Sequence, residues 1–206
     1  DPAFAGQIMV ITYPLVGNYG VPPLDEQMEG LPAFTESDHI QPVAVIVSDY
    51  SDAYSHWNAK ETLAEWLKRE QIPAITGVDT REITKLLREN GVMNGKIVFE
   101  GIGEEPTAAQ YDTTNLAEQV SCKEVVRYNE GAPKKIVAID CGIKNNTLRS
   151  MVRRNVEVIR VPWNYDFNTL EFDGLLIGSG PGNPDTCEAT IKNIANYLND
   201  GKHRPC

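Results

Sequence analysis

Asp173 to Pro184 read D-G-L-L-I-G-S-G-P-G-N-P, an apolar run that passes into a loop with three glycines and two prolines. The pattern predicts a strand that ends in a tight turn just ahead of a helix. Such a turn exposes backbone N–H groups at the carboxyl edge of a parallel sheet, where open α/β folds bind ligands and stabilise developing negative charge. The loop therefore predicts a site that offers backbone donors rather than a nucleophile.

The segments around this loop alternate between strand and helix. Strand patterns cover 135–140, 156–162 and 174–178, and helical patterns cover 145–154 and 187–198. The last helix is expected to bury Ile191, Ile194, Ala195 and Leu198, which recur at helical spacing. This alternation predicts a parallel, doubly wound sheet. A fourth strand would begin near Pro205, so we expect the chain to stop inside this domain.

The first half of the chain mixes short strands and helices. Strands are predicted over 7–13, closed by Pro14, and over 42–48. A helix is predicted over 58–69, where Ala59, Leu63, Trp66 and Leu67 form one stripe.

The next helix carries clear start and stop signals. Asp79 is the expected N-cap, with Glu82 three residues further on, and Gly91 is the expected stop. Its buried face should consist of Ile83, Leu86 and Leu87. This mixed order, followed by loop residues such as Gly103 and Pro106, predicts an α/β protein with three parts. They are a mixed α+β domain over 1–120, a linker over 121–134 and the doubly wound domain over 135–206.

Composition and charge exclude several classes of protein. The formal net charge is −10 and Lys and Arg are not clustered, which argues against a nucleic-acid partner. No apolar run approaches the roughly 20 residues that cross a bilayer, so we expect no membrane partner. The four cysteines show no C-x-x-C spacing, which favours free thiols in a reducing compartment. The chain starts at Asp1 without a targeting pattern, so we expect a piece of a longer protein.

The glycine loop has three possible roles. A dinucleotide site of the G-x-G-x-x-G type would need its third glycine at position 183, which is Asn183. Pro181 and Pro184 would also stiffen a segment that should open a helix. A purely structural turn rarely needs this combination of glycine and proline. We therefore favour a turn that faces a ligand.

Other candidate residues have plainer interpretations. Cys141 lacks the G-x-C-x-G elbow of a nucleophile and is expected to be a buried structural thiol. The neighbouring polar side chains are expected to fix loops by hydrogen bonds: Lys144, Asn145 and Asn146. The three histidines are interpreted as cap, packing or loop residues rather than as bases: His39, His56 and His203. They form no cluster, so no metal site is predicted.

Several ordered motifs resemble one family. Four motifs resemble the N-terminal domain of the carbamoyl-phosphate synthetase small subunit. They are D-P-A-F-A-G-Q-I at 1–8, T-Y-P-L-V-G-N-Y-G at 12–20, G-V-D-T-R-E-I-T-K-L-L-R at 77–88 and G-K-I at 95–97. D-C-G-I-K-N-N at 140–146, V-P-W at 161–163 and G-P-G-N-P at 180–184 resemble the start of its class I glutamine amidotransferase domain. The resemblance implies a flavodoxin-like fold for that domain, and it covers nearly the whole chain.

The resemblance also implies a function. In this family the amidotransferase domain hydrolyses glutamine, and ammonia passes to a synthetase component that makes carbamoyl phosphate from bicarbonate and ATP. It places Gly180 and Gly182 in the glutamine and oxyanion site. Ala3 stands where glutamine-using relatives usually carry a substrate-contacting Ser. The implied partners are glutamine and a synthetase, either a separate large subunit or fused domains. No cofactor is implied for this region, while ATP and Mg belong to the synthetase.

The catalytic Cys, His and Glu are expected beyond Cys206, so no catalytic residue is assigned within this chain, which alone should be inactive. The residues Ala3 and Asn183 are similar to those of the urea-cycle branch of the family. Some members of that branch have lost the catalytic cysteine and use free ammonia. The motif T-Y-P at 12–14 instead resembles the pyrimidine-pathway form. The alternative is therefore a non-catalytic docking and regulatory region of an ammonia-dependent synthetase. The expected location is cytoplasmic, or mitochondrial for the urea-cycle branch.

Overall fold

The computed structural model describes residues 1–98, 101, 114–199, 201, 205 and 206, and these form a mixed α/β structure. The predicted loop residues Gly103 and Pro106, and His203, lie outside the described residues. Two units gather most of the contacts. One contains Asp1–Gly6, Pro23–Gln41 and Asn115–Cys206, and the other contains Gln7–Pro22 and Pro42–Thr114. The division into domains over 1–120 and 135–206 stays a prediction.

The unit built from Gln7–Pro22 and Pro42–Thr114 contains a three-stranded parallel sheet. Its strands are β1 (Ile8–Val16), β4 (Ala44–Tyr50) and β5 (Ala74–Ile75), in the order β1-β4-β5. The prediction that Pro14 ends the first strand was wrong, because β1 continues to Val16. Its pairing with β4 shifts register between Ile11 and Leu15, and such an irregularity accommodates a proline that cannot donate a ladder hydrogen bond.

The first helix of this unit begins later than predicted. Helix α1 spans Leu63–Arg69, and Thr62 caps it through reciprocal hydrogen bonds with Glu65. The predicted start at Asn58 was wrong because the backbone just before the helix pairs elsewhere. Val21, which is 1% exposed, donates to the Glu61 carbonyl at 2.9 Å and accepts from the Lys60 N–H at 2.8 Å.

The second helix confirms the predicted caps but not the predicted face. Helix α2 spans Thr80–Asn90, its N-cap Asp79 accepts from the Glu82 N–H at 3.0 Å, and Gly91 ends it with φ +76°. The predicted buried face was wrong at Leu86, which is 49% exposed. Ile83 and Leu87 are half-buried, and the one residue of α2 that is fully buried is Thr80. The Thr80 hydroxyl lies 2.8 Å from that of Ser48 on β4, so a polar contact sets the rotation of this helix.

The other unit is built on a four-stranded sheet. The strands are β6 (Val126–Tyr128), β7 (Lys134–Asp140), β8 (Val156–Pro162) and β9 (Gly174–Ile177), in the order β6-β8-β7-β9. Strand β7 is parallel to both of its neighbours, which confirms the predicted parallel sheet. Strand β6 is an antiparallel edge strand. It lies within the segment predicted as a linker, where no strand was predicted.

Helices cover both faces of this sheet. Helix α4 (Asn145–Val152) contributes Leu148 and Val152 to a cluster with Ala138 and Val158. Helix α5 (Glu188–Leu198) contributes to the cluster on the opposite face. That second cluster contains Val137, Ile139, Ile159, Val161, Leu175 and Tyr197. Neighbouring residues of β7 and β8 thus point to opposite faces, as a doubly wound sheet requires.

Helix α5 buries a face that only partly matches the predicted one. Ile194 packs against the core as predicted, but Ile191 and Leu198 are 48% and 66% exposed. The buried residues are Thr190, Asn193 and Tyr197. The Thr190 hydroxyl donates to the Trp163 carbonyl at 2.5 Å, and the Asn193 side chain donates to the Tyr165 carbonyl at 3.0 Å. Tyr197 stacks on Phe172 with ring centroids 5.8 Å apart. These polar and aromatic contacts set the rotation of the helix.

Two short strands and a short helix also belong to this unit. Strands β2 (Gln27–Met28) and β3 (Leu31–Pro32) form an antiparallel pair, and helix α3 spans Leu116–Val120. Among the described residues, none of the helices combines the length and the apolar composition needed to cross a membrane.

Candidate functional site

The glycine loop lies where the sequence predicted it. It follows β9 and leads through a short 3-10 helix, Pro184–Thr186, into α5. Because β9 and β7 are parallel neighbours, the loop lies beside Cys141 and Gly142, which follow the end of β7. Gly182 has φ +83°, a left-handed conformation that favours glycine.

Close packing explains why glycines stand at this point. A Cβ on Gly180 would overlap the carbonyl oxygen of Cys141 and lie 2.8 Å from its carbon. On the facing turn, a Cβ on Gly142 would lie 3.1 Å from the Gly180 Cα and 3.2 Å from Pro181 Cδ. The two backbones can therefore meet only because neither residue carries a side chain.

Two residues of the loop, Ser179 and Gly180, are exposed to solvent, and Gly182 is half-buried. Within the described residues, no hydrogen-bond acceptor faces the N–H groups of Ser179, Gly180 and Gly182. Gly180 is exposed, so an N–H group without an internal acceptor does not destabilise the fold as a buried unpaired donor would. An oxygen atom of a ligand can accept from these groups without displacing an internal bond, which is the chemistry of an oxyanion site.

Residues 1–6 pack near the same loop. The side chain of Leu116 lies between them, since a Cβ on Gly6 would come within 3.3 Å of it and a Cβ on Gly182 within 3.5 Å. The Ala3 N–H donates to Asp1 Oδ1 at 3.1 Å, and Asp1 Oδ2 pairs with Lys144 Nζ at 2.9 Å. The segment that carries Ala3 is thereby anchored beside the N-terminus of α4.

The polar residues that precede and begin α4 fix loops, as the sequence predicted. The Asn145 side chain donates to the Thr35 carbonyl at 3.2 Å, and the Asn146 N–H donates to Glu36 Oε2 at 2.8 Å. Together with the ion pair between Lys144 and Asp1, these bonds confirm the prediction for Lys144 and Asn145, whereas Asn146 contributes its backbone N–H and not its side chain. They hold residues 1–6 and 35–36 against the helix.

Two thiols of this unit, those of Cys122 and Cys141, are poor nucleophiles. Burial, and then the neighbouring Cys187, raise the pKa of Cys141 to about 11. Burial, and then the charge of Asp140, raise the pKa of Cys122 to about 12. Both cysteines stay protonated at neutral pH, and a protonated thiol does not attack a carbonyl carbon. The interpretation of Cys141 as a buried structural cysteine is confirmed.

The ring of His56 makes structural contacts, whereas His39 is an exposed loop residue. His56 Nδ1 accepts from the Asn58 N–H at 3.2 Å, and its ring meets that of Tyr19 edge-on at 5.6 Å. His39 accepts a hydrogen bond from Ser37 through its backbone carbonyl. Across the described ranges, no three His, Cys, Asp or Glu side chains come close enough together to hold a metal ion.

Asp140 is the residue that the sequence analysis missed. It is fully buried at the end of β7, and its carboxylate accepts hydrogen bonds from the backbone N–H groups of Gly142 and Ile143 and from Arg160. The sequence did contain a signal for this pair. An Asp at the end of one apolar strand and an Arg within the next are both charged residues in buried positions, and each is expected to need a partner of opposite charge. The pair organises the turn that packs against the glycine loop.

Comparison with protein families assigns both halves of the chain. Residues 1–97 match the carbamoyl-phosphate synthase small chain, CPSase domain, and residues 137–205 match the glutamine amidotransferase class-I family. The second match agrees with the doubly wound sheet, since class I amidotransferases have a flavodoxin-like α/β fold. The fold class predicted from the sequence is thus confirmed.

Full-length relatives agree with these matches. The chain is 46% identical over 208 residues to the human mitochondrial carbamoyl-phosphate synthase [ammonia], covering 100% of this chain and 14% of the relative. It is 42% identical over 208 residues to the multifunctional protein CAD of Squalus acanthias, covering 100% of this chain and 9% of that protein.

A separate small chain is also similar. The arginine-specific carbamoyl phosphate synthase small chain of Saccharomyces cerevisiae is 43% identical over 206 residues, which cover 97% of this chain and 50% of the relative. This chain therefore spans only part of the relatives it matches. The family matches, the ordered motifs and the fold agree, and the chain belongs to the carbamoyl-phosphate synthase small-chain family, whose second domain is a class I glutamine amidotransferase.

Proposed function

We propose that this chain forms part of the glutamine-hydrolysing, ammonia-supplying region of a carbamoyl-phosphate synthase. The observation that carries the proposal is the loop over 179–182. Its N–H groups at Ser179, Gly180 and Gly182 have no acceptor within the described residues, and Gly180 is exposed. A site of this kind suits a carbonyl oxygen that gains negative charge during a reaction.

The chemistry follows from the hydrolysis of an amide. A thiolate attacks the side-chain carbonyl carbon of glutamine, and the carbonyl oxygen becomes an oxyanion. The intermediate collapses as the nitrogen takes up the proton held by the general base and leaves as ammonia, and water then hydrolyses the remaining thioester to glutamate and releases the thiolate. In this proposal the Gly180 N–H donates to the oxyanion, while the backbone at Gly182 contacts the substrate. Loss of one such donor typically costs about 10²- to 10³-fold in kcat. The attacking cysteine, with its His and Glu partners, belongs to positions after Cys206.

Ala3 modifies the affinity of this site. Its segment and the glycine loop pack against Leu116, which supports its assignment near the substrate. A serine hydroxyl at this position would add a hydrogen bond, and one such bond contributes about 0.5–1.5 kcal/mol. The glutamine affinity of an Ala3 protein should therefore be about two- to tenfold weaker than that of its serine variant.

The proposal includes a synthetase partner. Residues 1–120 would hold the amidotransferase domain against a synthetase subunit or fused synthetase domains, where ATP and Mg bind. The relatives support both arrangements, since one is named a small chain and another a multifunctional protein. The compartment follows the branch, cytoplasmic for pyrimidine or arginine synthesis and mitochondrial for the urea cycle.

A second candidate is a docking and regulatory region that does not hydrolyse glutamine. Two observations favour it: Ala3 lacks the hydroxyl, and the human and mouse relatives are named carbamoyl-phosphate synthase [ammonia]. In that case the glycine loop would keep its shape through packing alone, and ammonia would enter from solution. The two candidates differ in whether a reactive cysteine faces the loop.

Affinity labelling separates them. The full-length protein is treated with an electrophilic glutamine analogue, and labelled peptides are identified by mass spectrometry. We expect one labelled cysteine after position 206, protection by excess glutamine and parallel loss of glutamine-dependent synthesis. Absence of label together with full ammonia-dependent activity would select the docking region instead.

A further inference from the structure

The Asp140 carboxylate gathers donors from three parts of the chain. Its Oδ1 accepts from the Gly142 and Ile143 N–H groups at 3.0 and 2.9 Å. Its Oδ2 accepts from the Cys122 N–H at 2.7 Å and from Arg160 Nε at 2.8 Å. Arg160 Nη2 also lies 2.6 Å from Oδ2. The carboxylate is fully buried, and its charge is balanced by this guanidinium.

Arg160 is held in place by the same contact. Its side chain is 17% exposed on β8, the strand next to β7. Burial alone would lower the pKa of Arg160, but the charge of Asp140 and hydrogen bonds to Tyr128 and Asp140 outweigh it and raise the pKa. Arg160 is therefore a permanent cation. Two N–H groups of its planar guanidinium converge on Oδ2 of Asp140, while the N–H groups of Gly142 and Ile143 hold Oδ1.

The turn held by Asp140 is the surface on which the glycine loop rests. Gly142 has φ +129°, and a Cβ there would lie 3.1 Å from the Gly180 Cα and 3.2 Å from the Ser179 carbonyl oxygen. The same N–H group of Gly142 donates to Asp140. Displacement of the turn therefore moves the residues that carry the proposed oxyanion donors.

We infer that the Asp140–Arg160 ion pair positions the glycine loop, by fixing the 141–143 turn against Ser179 and Gly180. Neither residue touches the substrate, so both are positioning residues. The inference rests on the proposed function for its kinetic consequence. Its structural consequence, order in the turn and the loop, does not depend on activity.

A second ion pair on the same sheet provides a matched control. Glu157, which is 4% exposed, pairs with Arg127 Nη1 at 2.8 Å and accepts from the Gly131 N–H at 3.1 Å. These contacts hold β6 itself and the turn that follows it, and they do not involve the 141–143 turn. Loss of this pair removes an arginine–carboxylate contact of the same type without moving the loop.

The test compares Arg160→Lys with Arg127→Lys in the full-length protein. Removal of Asp140 itself would leave a buried guanidinium without a counter-charge and destabilise the domain, so the lysine variant is preferred because it keeps the charge but loses the fork. Hydrogen exchange is followed at Gly142, at Ile143 and at Gly178, whose N–H donates to the Ile139 carbonyl at 3.0 Å. Glutamine-dependent and ammonia-dependent synthesis are measured in parallel.

We expect Arg160→Lys to raise exchange at these amides about tenfold and to lower kcat with glutamine by about tenfold, because small displacements of a preorganised donor are costly. KM for glutamine should change less than about threefold, and ammonia-dependent synthesis should persist. Arg127→Lys should change none of these values. Unchanged exchange, equal effects of both variants, or faster exchange with normal kcat would each overturn the inference. A wild-type protein that cannot use glutamine would refute the proposed function, while the exchange data would still decide whether the pair holds the loop.

Discussion

Substitution of Gly180 by alanine tests the proposed site most directly. The new Cβ would overlap the Cys141 carbonyl oxygen and lie 2.8 Å from its carbon. Ordinary Cβ contacts begin at 3.4 Å, so the loop must move by about 0.6 Å to clear the carbon and further to clear the oxygen. The obstacle is backbone and not a flexible side chain, so the loop itself has to move.

The expected magnitude follows from this displacement. Misplacement of a catalytic group by about 1 Å costs about 10²-fold in rate, which corresponds to about 2.7 kcal/mol in the activation free energy. We therefore expect Gly180→Ala to lower glutamine-dependent carbamoyl phosphate synthesis about 100-fold. Ammonia-dependent synthesis should be unchanged, because ammonia bypasses the amide hydrolysis.

The assay measures both activities in the full-length protein, with Gly174→Ala as the control. Gly174 lies on β9, six residues before Gly180, and a Cβ there would meet only Pro205, with its closest atom at 3.5 Å, and Ile136, at 4.0 Å. This variant should keep both activities. Full glutamine-dependent activity in Gly180→Ala, or equal loss of both activities, would refute the reasoning.

Three further predictions concern stability. Thr62→Ala removes the capping box of α1 and should lower the free energy of unfolding, measured by urea denaturation, by about 1 kcal/mol. The control is Lys68→Ala, on the exposed face of the same helix, where the loss should be smaller. Equal losses for the two variants would contradict the role of the cap. Tyr197→Ala should lower the free energy of unfolding by about 3–5 kcal/mol, because the ring is buried and stacks on Phe172. Ile191→Ala, on the exposed face of α5, should change it by less than about 0.5 kcal/mol. If thermal melts show the larger loss for Ile191→Ala, the buried face of α5 is the one predicted from the sequence. Burial, and then the influence of Cys187, raise the pKa of Cys141 from 9.0 to about 11. Between these pH values the folded protein keeps the thiol proton and the unfolded chain loses it. The contribution of Cys141 to the free energy of unfolding is therefore complete below pH 9 and declines as the pH rises toward 11. Denaturation between pH 8 and pH 11 should show a smaller decline for Cys141→Ala than for wild type, and equal slopes would contradict this assignment.

Features set by local chemistry were predictable from the sequence. The caps of α2 at Asp79 and Gly91 depend on residues within a few positions of the helix ends, and the structure confirms both. Strands β7 and β8 were found because both are rich in β-branched apolar residues, which favour strands, although β8 also carries Glu157 and Arg160. The position of the glycine loop followed from the strand that precedes it.

Features set by distant contacts were not predictable in this way. The rotation of α5 depends on the pairing of Thr190 and Asn193 with carbonyl groups of residues 163 and 165, which no periodicity of apolar residues reveals. Strand β6 has only three residues and pairs with a strand about 30 positions later. The role of Asp140 likewise depends on Arg160 and on Cys122, which are neighbours only in the folded chain.

The short antiparallel strand β6 restricts how this sheet can grow. It occupies the hydrogen-bonding edge of β8, and an edge protected in this way does not recruit strands from other chains. An additional strand can join beside β9, where the Leu175 N–H already donates to the Pro205 carbonyl at 3.0 Å. Growth in that one direction would move the glycine loop from the margin of the sheet to its interior, between neighbouring strand ends. The edge strand thus contributes to the location of the site without touching it.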